Sequence, residues 1–144
     1  EAKRRRSDIV FGGDFIAGFP TEDEKAHQNS MELIKEANIT YIHVFPYSNR
    51  SKTPASNMPQ VPKKVIQKRG KELRDLAKKQ HNKFLLTQIG TTQNVLIENN
   101  SVGHATNFSK IKLKENVQSS TIVPTKILDI DPEGLLGTIV NWNR

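Results

Sequence analysis

The start of the chain alternates between apolar runs and a polar, helical pattern. Residues 9–17, "IVFGGDFIA", are mostly apolar and interrupted by glycines, which predicts a buried β-strand. Thr21 is the predicted N-cap of a helix that runs to about Ala37, because Glu24 follows and completes a capping box. Residues 39–47, "ITYIHVFPY", are rich in β-branched and aromatic residues and predict a second strand. Together these elements predict a parallel βαβ unit.

The middle of the chain has the pattern of one long helix. A proline-rich loop over residues 48–62 precedes it, and Pro62 is predicted to take the first helical position, where its missing N–H costs nothing. Apolar residues recur at helical spacing from Val65 to Leu85, and Lys and Arg fill the other faces. The pattern therefore predicts a helix over residues 62–85.

Beyond Gly90 the apolar spacing becomes that of short strands. Four stretches, "TTQNVLIENN", "HATNFSKIKLKE", "STIVPTKILDID" and "LLGTIVNW", are separated by turn residues, and residues 110–114 alternate strictly. This pattern predicts a small antiparallel β-barrel over residues 86–144. The fold class is therefore α/β followed by all-β, with residues 1–85 and 86–144 as the two domains. Because one βαβ unit cannot cover both faces of a parallel sheet, we expect residues 1–62 to be the end of a larger α/β domain.

The net charge of +7 is concentrated in the predicted long helix. Residues 63–83 contain nine Lys or Arg against Glu72 and Asp75, whereas the segments on either side are neutral. A basic segment of this size favours binding to a polyanion such as RNA, but a solvated helix face can have the same composition. Charge alone leaves both interpretations open.

The 144 residues contain no cysteine. Disulfides, thiolate zinc sites, cysteine nucleophiles and cysteine-ligated iron–sulfur clusters are therefore excluded within this sequence. No apolar run approaches the ~18 residues of a membrane-spanning helix, and the first residues lack the layout of a signal peptide. We therefore expect a cytoplasmic protein that does not associate with a membrane.

Four stretches in a fixed order carry a resemblance to a known family. They are "DFIAGFPTEDE", "YIHVFPYSNRSKTPA", "MPQVPKKVIQKR" and "VGHATNF". In order and spacing they resemble the C-terminal half of the radical S-adenosylmethionine tRNA methylthiotransferases, most closely the branch that modifies threonylcarbamoyladenosine next to the anticodon. The resemblance covers nearly the whole chain, and its most specific part is "HVFPYS" followed by Arg50 and Thr53-Pro54-Ala55.

The resemblance implies three structural parts. Residues 9–46 would form the last two strands of a partial (βα)6 radical-SAM barrel, residues 62–85 its closing helix, and residues 86–144 the RNA-binding TRAM domain, an OB-like β-barrel. The implied function is the addition of a methylthio group to threonylcarbamoyladenosine in the anticodon region of tRNA.

The resemblance also implies cofactors. The family uses S-adenosylmethionine and two four-iron–four-sulfur (4Fe-4S) clusters, whose cysteine ligands lie in the half of the protein that precedes this match. We therefore expect the chain to be inactive alone and to need a missing N-terminal half as its partner.

Three positions depart from the family pattern. His27 stands where a large apolar residue is usual in the helix, and Thr21 stands where a glycine is usual. The usual glycine before Thr53 is Lys52 here, which puts a side chain where an unhindered backbone is expected. Lys52 is therefore the departure with a direct consequence for the backbone of the loop.

The candidate cofactor site lies at the carboxyl ends of the two predicted strands, where open parallel sheets bind ligands. Gly18 would let a flat ligand approach the backbone, Phe45 and Val44 would frame the adenine, Asp14 would bind a ligand hydroxyl, and Arg50 would bind a carboxylate or an RNA phosphate. The alternatives are a tight strand–helix turn, core packing and ordinary surface contacts. The set implied by the resemblance is Asp14, Ile16, Gly18, Phe19, Pro20, Val44, Phe45 and Arg50.

The candidate RNA-binding surface combines one aromatic residue with lysines. In "GHATNFSKIKLK", Phe108 would stack on a base and the lysines of the alternating strand would meet phosphates. Because the barrel segment is neutral, the long helix would supply most of the attraction, and Phe108 has core packing as its alternative. The set is Lys63, Lys64, Lys68, Arg69, Lys79, Phe108, Lys110 and Lys112. No catalytic residue and no metal ligand is predicted in this chain.

Two other functions stay open at the level of the sequence. One is a stand-alone, non-catalytic module that binds tRNA, and the other is a basic interaction protein with an acidic partner. Both predict a role for the basic helix, and competition between tRNA and an acidic partner separates them.

Overall fold

A computed structural model describes residues 1–140 of the chain. They divide into two compact units, which we call the sheet unit (residues 10–81) and the barrel unit (residues 1–9 together with the chain from residue 82 onward). Residues 141–142 of the last predicted strand lie outside the described residues. The elements are α1 (Ala2–Arg5), β1 (Phe11–Ala17), α2 (Glu24–Glu36), β2 (Ile39–Pro46), a 3₁₀ helix (Pro54–Asn57), α3 (Lys63–Gln88), β3 (Thr92–Asn99), β4 (Val102–Ala105), β5 (Lys110–Leu113), β6 (Ile122–Asp131) and β7 (Gly134–Ile139).

The sheet unit is built on a parallel pair of strands, as the sequence predicts. In the pairing of β1 with β2, Asp14 lies opposite His43 and Ile16 lies opposite Phe45. The connecting helix α2 ends before Asn38, whose φ of 53° is in the left-handed region that asparagine tolerates. The predicted βαβ unit is therefore confirmed.

Helix α2 begins later than the sequence indicates. Asp23 is its N-cap, because the carboxylate of Asp23 accepts a hydrogen bond of 2.7 Å from the backbone N–H of Ala26. Thr21 lies instead in a turn, in which the N–H of Glu22 donates to the carbonyl oxygen of Phe19 at 2.7 Å. The predicted capping box that starts at Thr21 is therefore wrong by two positions.

Helices α2 and α3 cover one face of the two-stranded sheet. Its opposite face is open, and there Ile16 is 55% exposed and Phe45 is 51% exposed. The prediction that a single βαβ unit leaves one sheet face uncovered is thus confirmed within the described residues. The core on the covered face consists of Ala17, Ile34, Leu73 and Leu76, with Phe15, Met31, Ile39, Ile42 and Val44 packed against it.

Helix α3 starts one residue later and ends three residues later than predicted. Pro62 lies just before it, and its carbonyl oxygen accepts hydrogen bonds from the N–H groups of Val65 and Ile66. Near the other end, Leu85 is buried in the core of the barrel unit, and Gly90 follows the helix with a φ of 83°. Within the described residues, no helix is long and apolar enough to cross a membrane.

The barrel unit contains a closed barrel in the strand order β3-β4-β5-β7-β6. It has five strands within the described residues rather than the predicted four, because a turn around Phe108 divides one predicted stretch into β4 and β5. β5 and β7 pair in parallel, so the prediction of a wholly antiparallel barrel is wrong for this one pair. The buried core is Leu85, Val95, Ile97, Ala105, Ile111, Leu113, Val117, Val123, Ile127 and Leu135.

Candidate ligand cavity and nucleic-acid interface

A cavity of about 640 Å³ lies at the carboxyl ends of β1 and β2, on the open face of the sheet. Ile16, Phe19 and Phe45 give it apolar walls, and Asp14 and Arg50 supply charged groups. The structure thus brings together five of the eight residues that the resemblance assigns to the cofactor. A volume of this size is within the range of roughly 300–1,000 Å³ that is typical of small-molecule sites.

Gly18 serves the packing of α3 rather than the cavity. Its φ is 78°, a left-handed conformation that favours glycine, and a Cβ at this position would lie 2.5 Å from Cγ1 of Ile66. The residue is buried and is not part of the cavity wall. On the side where a Cβ would lie, the close neighbour of Gly18 is therefore a side chain of α3, and its contact with a flat ligand stays a prediction.

Val44 and Pro20 also lie outside the cavity wall. Val44 packs against the core with Phe15, its register partner, because the alternation of β2 turns both to the helix-covered face. Val44 therefore has the core packing that is the alternative interpretation, and its contact with an adenine stays a prediction. Pro20 is half-buried in the turn before α2.

The loop after β2 contributes wall residues that the sequence-based prediction of the site did not include. The ring of Tyr47 packs edge-to-face against the ring of Phe19, with ring centroids 5.5 Å apart. The backbone N–H of Tyr47 donates a hydrogen bond of 2.8 Å to the carbonyl oxygen of Ala17. The signal was present, because these residues lie within the "HVFPYS" and Thr53-Pro54-Ala55 motifs that carry the resemblance. The additional wall residues are Pro46, Tyr47, Ser48, Thr53 and Ala55.

A buried ion pair joins α3 to the turn that carries Phe19. One guanidinium nitrogen of Arg69, Nη1, donates to the carbonyl oxygen of Glu22 at 2.8 Å and to its carboxylate at 2.9 Å. The same carboxylate accepts a hydrogen bond of 3.0 Å from the N–H of Gly18. The side chain of Arg69 is 7% exposed and that of Glu22 is 10% exposed. Arg69 was predicted to bind RNA, but in this structure its guanidinium is buried against Glu22, and a contact with RNA stays a prediction.

The other predicted lysines of α3 are exposed. Within residues 1–140, Lys63, Lys64 and Lys79 form no ion pair, while Lys68 lies 3.7 Å from the carboxylate of Glu72. These positive side chains are available to a polyanion.

Phe108 lies on the surface of the barrel unit. It is 74% exposed and has a φ of 63°, in the turn between β4 and β5. Asn107 fixes this turn, because its side-chain N–H donates to the side-chain oxygen of Gln88 at 2.9 Å and its side-chain oxygen accepts from the N–H of Ser109 at 3.1 Å. Core packing is therefore excluded for Phe108, and base stacking stays a prediction.

The two predicted lysines of β5 differ in their surroundings. Lys112 is exposed, whereas the ammonium group of Lys110 forms an ion pair with Glu133 in the turn between β6 and β7. Phe108, Lys110 and Lys112 nonetheless lie on neighbouring positions of the β4–β5 hairpin. In the OB-fold, which is also a five-stranded barrel, the face of the second and third strands binds oligonucleotides. The second and third strands of the barrel described here are β4 and β5.

Curated tRNA-modifying enzymes match this chain along nearly all of its length, although no protein-family model matches it. The threonylcarbamoyladenosine tRNA methylthiotransferase MtaB of Rickettsia prowazekii (strain Madrid E) is 41% identical over 135 residues, which cover 94% of this chain and 32% of that protein. The tRNA-2-methylthio-N(6)-dimethylallyladenosine synthase of Ehrlichia chaffeensis (strain ATCC CRL-10679 / Arkansas) is 34% identical, covering 96% of this chain and 34% of that protein.

A relative from a third organism matches similar shares of both chains. The probable threonylcarbamoyladenosine tRNA methylthiotransferase of Methanocaldococcus jannaschii is 31% identical over 144 residues, which cover 97% of this chain and 33% of that protein. The chain therefore spans about a third of the length of the curated relatives it matches.

Proposed function

We propose that this chain belongs, by homology along nearly all of its own length, to the tRNA methylthiotransferases. Its role would be to supply tRNA-binding surfaces and part of an adenosyl-binding wall to an enzyme that adds a methylthio group to a modified adenosine. The observation that carries this proposal is the 41% identity with the Rickettsia relative over 94% of the chain. The name of that relative also favours threonylcarbamoyladenosine as the nucleoside.

The cavity of the sheet unit fits the adenosyl part of S-adenosylmethionine. Ile16 and Phe45 present apolar surface of the kind that an adenine ring packs against, and Asp14 can accept hydrogen bonds from ribose hydroxyls. Arg50 is suited to the carboxylate of the methionine part. When bound, S-adenosylmethionine supplies the radical chemistry of the family. The residues of this chain bind and orient it.

The residues of this chain do not fit an iron–sulfur cluster. The sequence contains no cysteine, and among the described residues no three or more His, Cys, Asp or Glu side chains are grouped so that they could hold a metal ion. No step of the reaction is therefore assigned to a cluster held here. We expect the purified chain not to cleave S-adenosylmethionine reductively, and such cleavage would contradict this part of the proposal.

The second candidate is a non-catalytic module that binds tRNA. The exposed Phe108 and the exposed lysines of α3 favour it, because both features are complete within this chain. The two candidates differ at the cavity: the enzyme needs an adenosyl ligand there, and the module does not.

Two phenylalanine substitutions separate the two proposed surfaces. Phe108→Ala should weaken the binding of a tRNA transcript by about 5- to 150-fold, because one stacked base contributes ~1–3 kcal/mol. Phe45→Ala should instead weaken the binding of S-adenosylmethionine and leave tRNA affinity unchanged. Each variant is thus the control for the other, with fluorescence anisotropy for tRNA and calorimetry for S-adenosylmethionine.

The outcomes distinguish the candidates. Binding of tRNA without any binding of S-adenosylmethionine supports the non-catalytic module and contradicts the adenosyl wall. Unchanged tRNA affinity in Phe108→Ala contradicts the stacking role. If each variant loses binding to both tRNA and S-adenosylmethionine, the substitutions have unfolded the protein, which circular dichroism of the same samples detects.

A further inference from the structure

A second cavity, of about 280 Å³, lies on the barrel unit where β5 meets the turn between β6 and β7. Lys110 and Lys112 line it from β5 and Val102 lines it from β4. The other side is formed by Asp131 at the end of β6, Glu133 in the turn and Gly134 at the start of β7. The cavity therefore contains both predicted RNA-binding lysines of the barrel. The sequence analysis assigns these two lysines to RNA phosphates, but it assigns no role to the carboxylate of Glu133 beside them.

The turn holds Glu133 in a fixed place beside the lysines. The carboxylate of Asp131 accepts a hydrogen bond of 3.0 Å from the N–H of Glu133, which closes a tight turn. At the next residue, Gly134, a Cβ would overlap the carbonyl oxygen of Lys110, so only glycine allows β7 to start this close to β5. The path of the backbone therefore fixes where residue 133 lies relative to Lys110.

The ammonium group of Lys110 and the carboxylate of Glu133 form an ion pair at the mouth of this cavity. The side chain of Glu133 is 72% exposed and that of Lys110 is 40% exposed. An exposed pair of this kind contributes little to stability, so a competing anion can replace the carboxylate at low cost. The hydrogen bond from Lys110 and the positive charges of Lys110 and Lys112 hold the pKa of Glu133 below its usual range. The carboxylate is therefore ionised at neutral pH.

We propose that this cavity is a subsite for one phosphodiester group of the RNA backbone, and that Glu133 is its built-in competitor. An entering phosphate displaces the Glu133 carboxylate from Lys110 and also contacts Lys112. While it remains in place, the carboxylate neutralises one cation and repels the phosphate, so it lowers affinity for any polyanion that lacks other contacts. This inference rests on the proposed function, since it assumes that the barrel unit binds RNA.

The test is a gain of binding. The full 144-residue chain and its Glu133→Gln variant are titrated with a tRNA transcript over a series of salt concentrations. We expect Glu133→Gln to bind about five-fold more tightly at low salt, because Lys110 is released and a like charge is removed. The slope of log affinity against log salt should steepen by about 0.7–0.9, the value for one additional phosphate contact.

Two further variants make the test specific. Glu133→Gln should give no gain when combined with Lys110→Met, because the released cation is then absent. Glu32→Gln makes the same change of net charge at an exposed position of α2 and should leave the slope unchanged.

Each result bears on the inference differently. Salt-dependent binding by the unaltered chain, with no gain in Glu133→Gln, overturns the subsite and leaves the proposed function in place. Equal gains in Glu32→Gln and Glu133→Gln also overturn it, since net charge then explains the effect. If neither the unaltered chain nor Glu133→Gln binds tRNA, both the subsite and the proposed role in tRNA binding are wrong.

Discussion

Lys52 has a left-handed backbone conformation, with a φ of 67°, in the loop that borders the cavity of the sheet unit. The family that the sequence resembles usually has glycine at this position, and the φ angle gives the physical reason. Only glycine adopts this conformation without steric cost. Neighbouring contacts hold it in place here, because both the N–H and the hydroxyl of Thr53 donate to the carbonyl oxygen of Arg50.

We expect Lys52→Gly to raise the free energy of unfolding by about 0.5–1 kcal/mol. Relief of the left-handed strain, about 1–2 kcal/mol, exceeds the entropy that glycine adds to the unfolded chain. Ser51 does not have a positive φ, so Ser51→Gly is the matched control and should lower the free energy of unfolding by about 0.5–1 kcal/mol. Urea denaturation measures both variants, and a loss of stability in Lys52→Gly contradicts the strain.

At the scale of elements, the buried Arg69 links α3 to the turn between β1 and α2 by hydrogen bonds and an ion pair. Its guanidinium binds both the backbone and the carboxylate of Glu22, and that carboxylate in turn accepts from the N–H of Gly18. The turn carries Phe19, which lines the cavity. The ion pair therefore connects the packing of a helix to the shape of the ligand wall.

Arg69→Met should destabilise the sheet unit by about 3–5 kcal/mol, because it leaves the buried carboxylate of Glu22 without its positively charged partner and with only the N–H of Gly18 as a donor. Lys68→Met is the control: Lys68 is exposed and 3.7 Å from Glu72, so its loss should cost less than about 1 kcal/mol. The double variant Glu22→Gln with Arg69→Met should recover part of the stability, because it removes the orphaned charge. Chemical denaturation measures all three, and equal effects of the two single substitutions would falsify the proposed network.

Local periodicity was sufficient to predict most elements, and contacts distant in sequence account for the errors. Thr21 and Asp23 are both good N-caps, so the local sequence alone favoured the wrong one, and the turn stabilised by Arg69 determined the helix start. Arg69 is 47 residues from Glu22, and nothing in its helical context distinguishes it from the exposed lysines. Alternation along β2 places Phe45 on the open face beside the cavity and Val44 on the core face, so the residues that the resemblance implies divide between the two faces of the sheet.

At the scale of the whole molecule, the excess positive charge lies on one element. Residues 63–83 hold nine basic residues, and only Arg69 of them is buried. The barrel segment is neutral, and Glu133 neutralises one of its two predicted phosphate-binding lysines. We therefore expect α3 to supply most of the long-range attraction to tRNA and the barrel unit to supply the contacts with individual nucleotides.

Reversing the charges of α3 tests this division of roles. The triple variant of Lys64→Glu, Lys68→Glu and Lys79→Glu should reduce tRNA affinity at least about ten-fold and lower the salt slope by up to about 3, one phosphate contact for each lysine. The matched control reverses three exposed lysines elsewhere, Lys25, Lys35 and Lys126, with the same change of net charge. Because electrostatic attraction depends on where the charges lie as well as on their sum, the control should lose much less affinity. Equal losses in the two triple variants would mean that net charge governs binding, and the assignment of these α3 lysines to the tRNA interface would then be wrong.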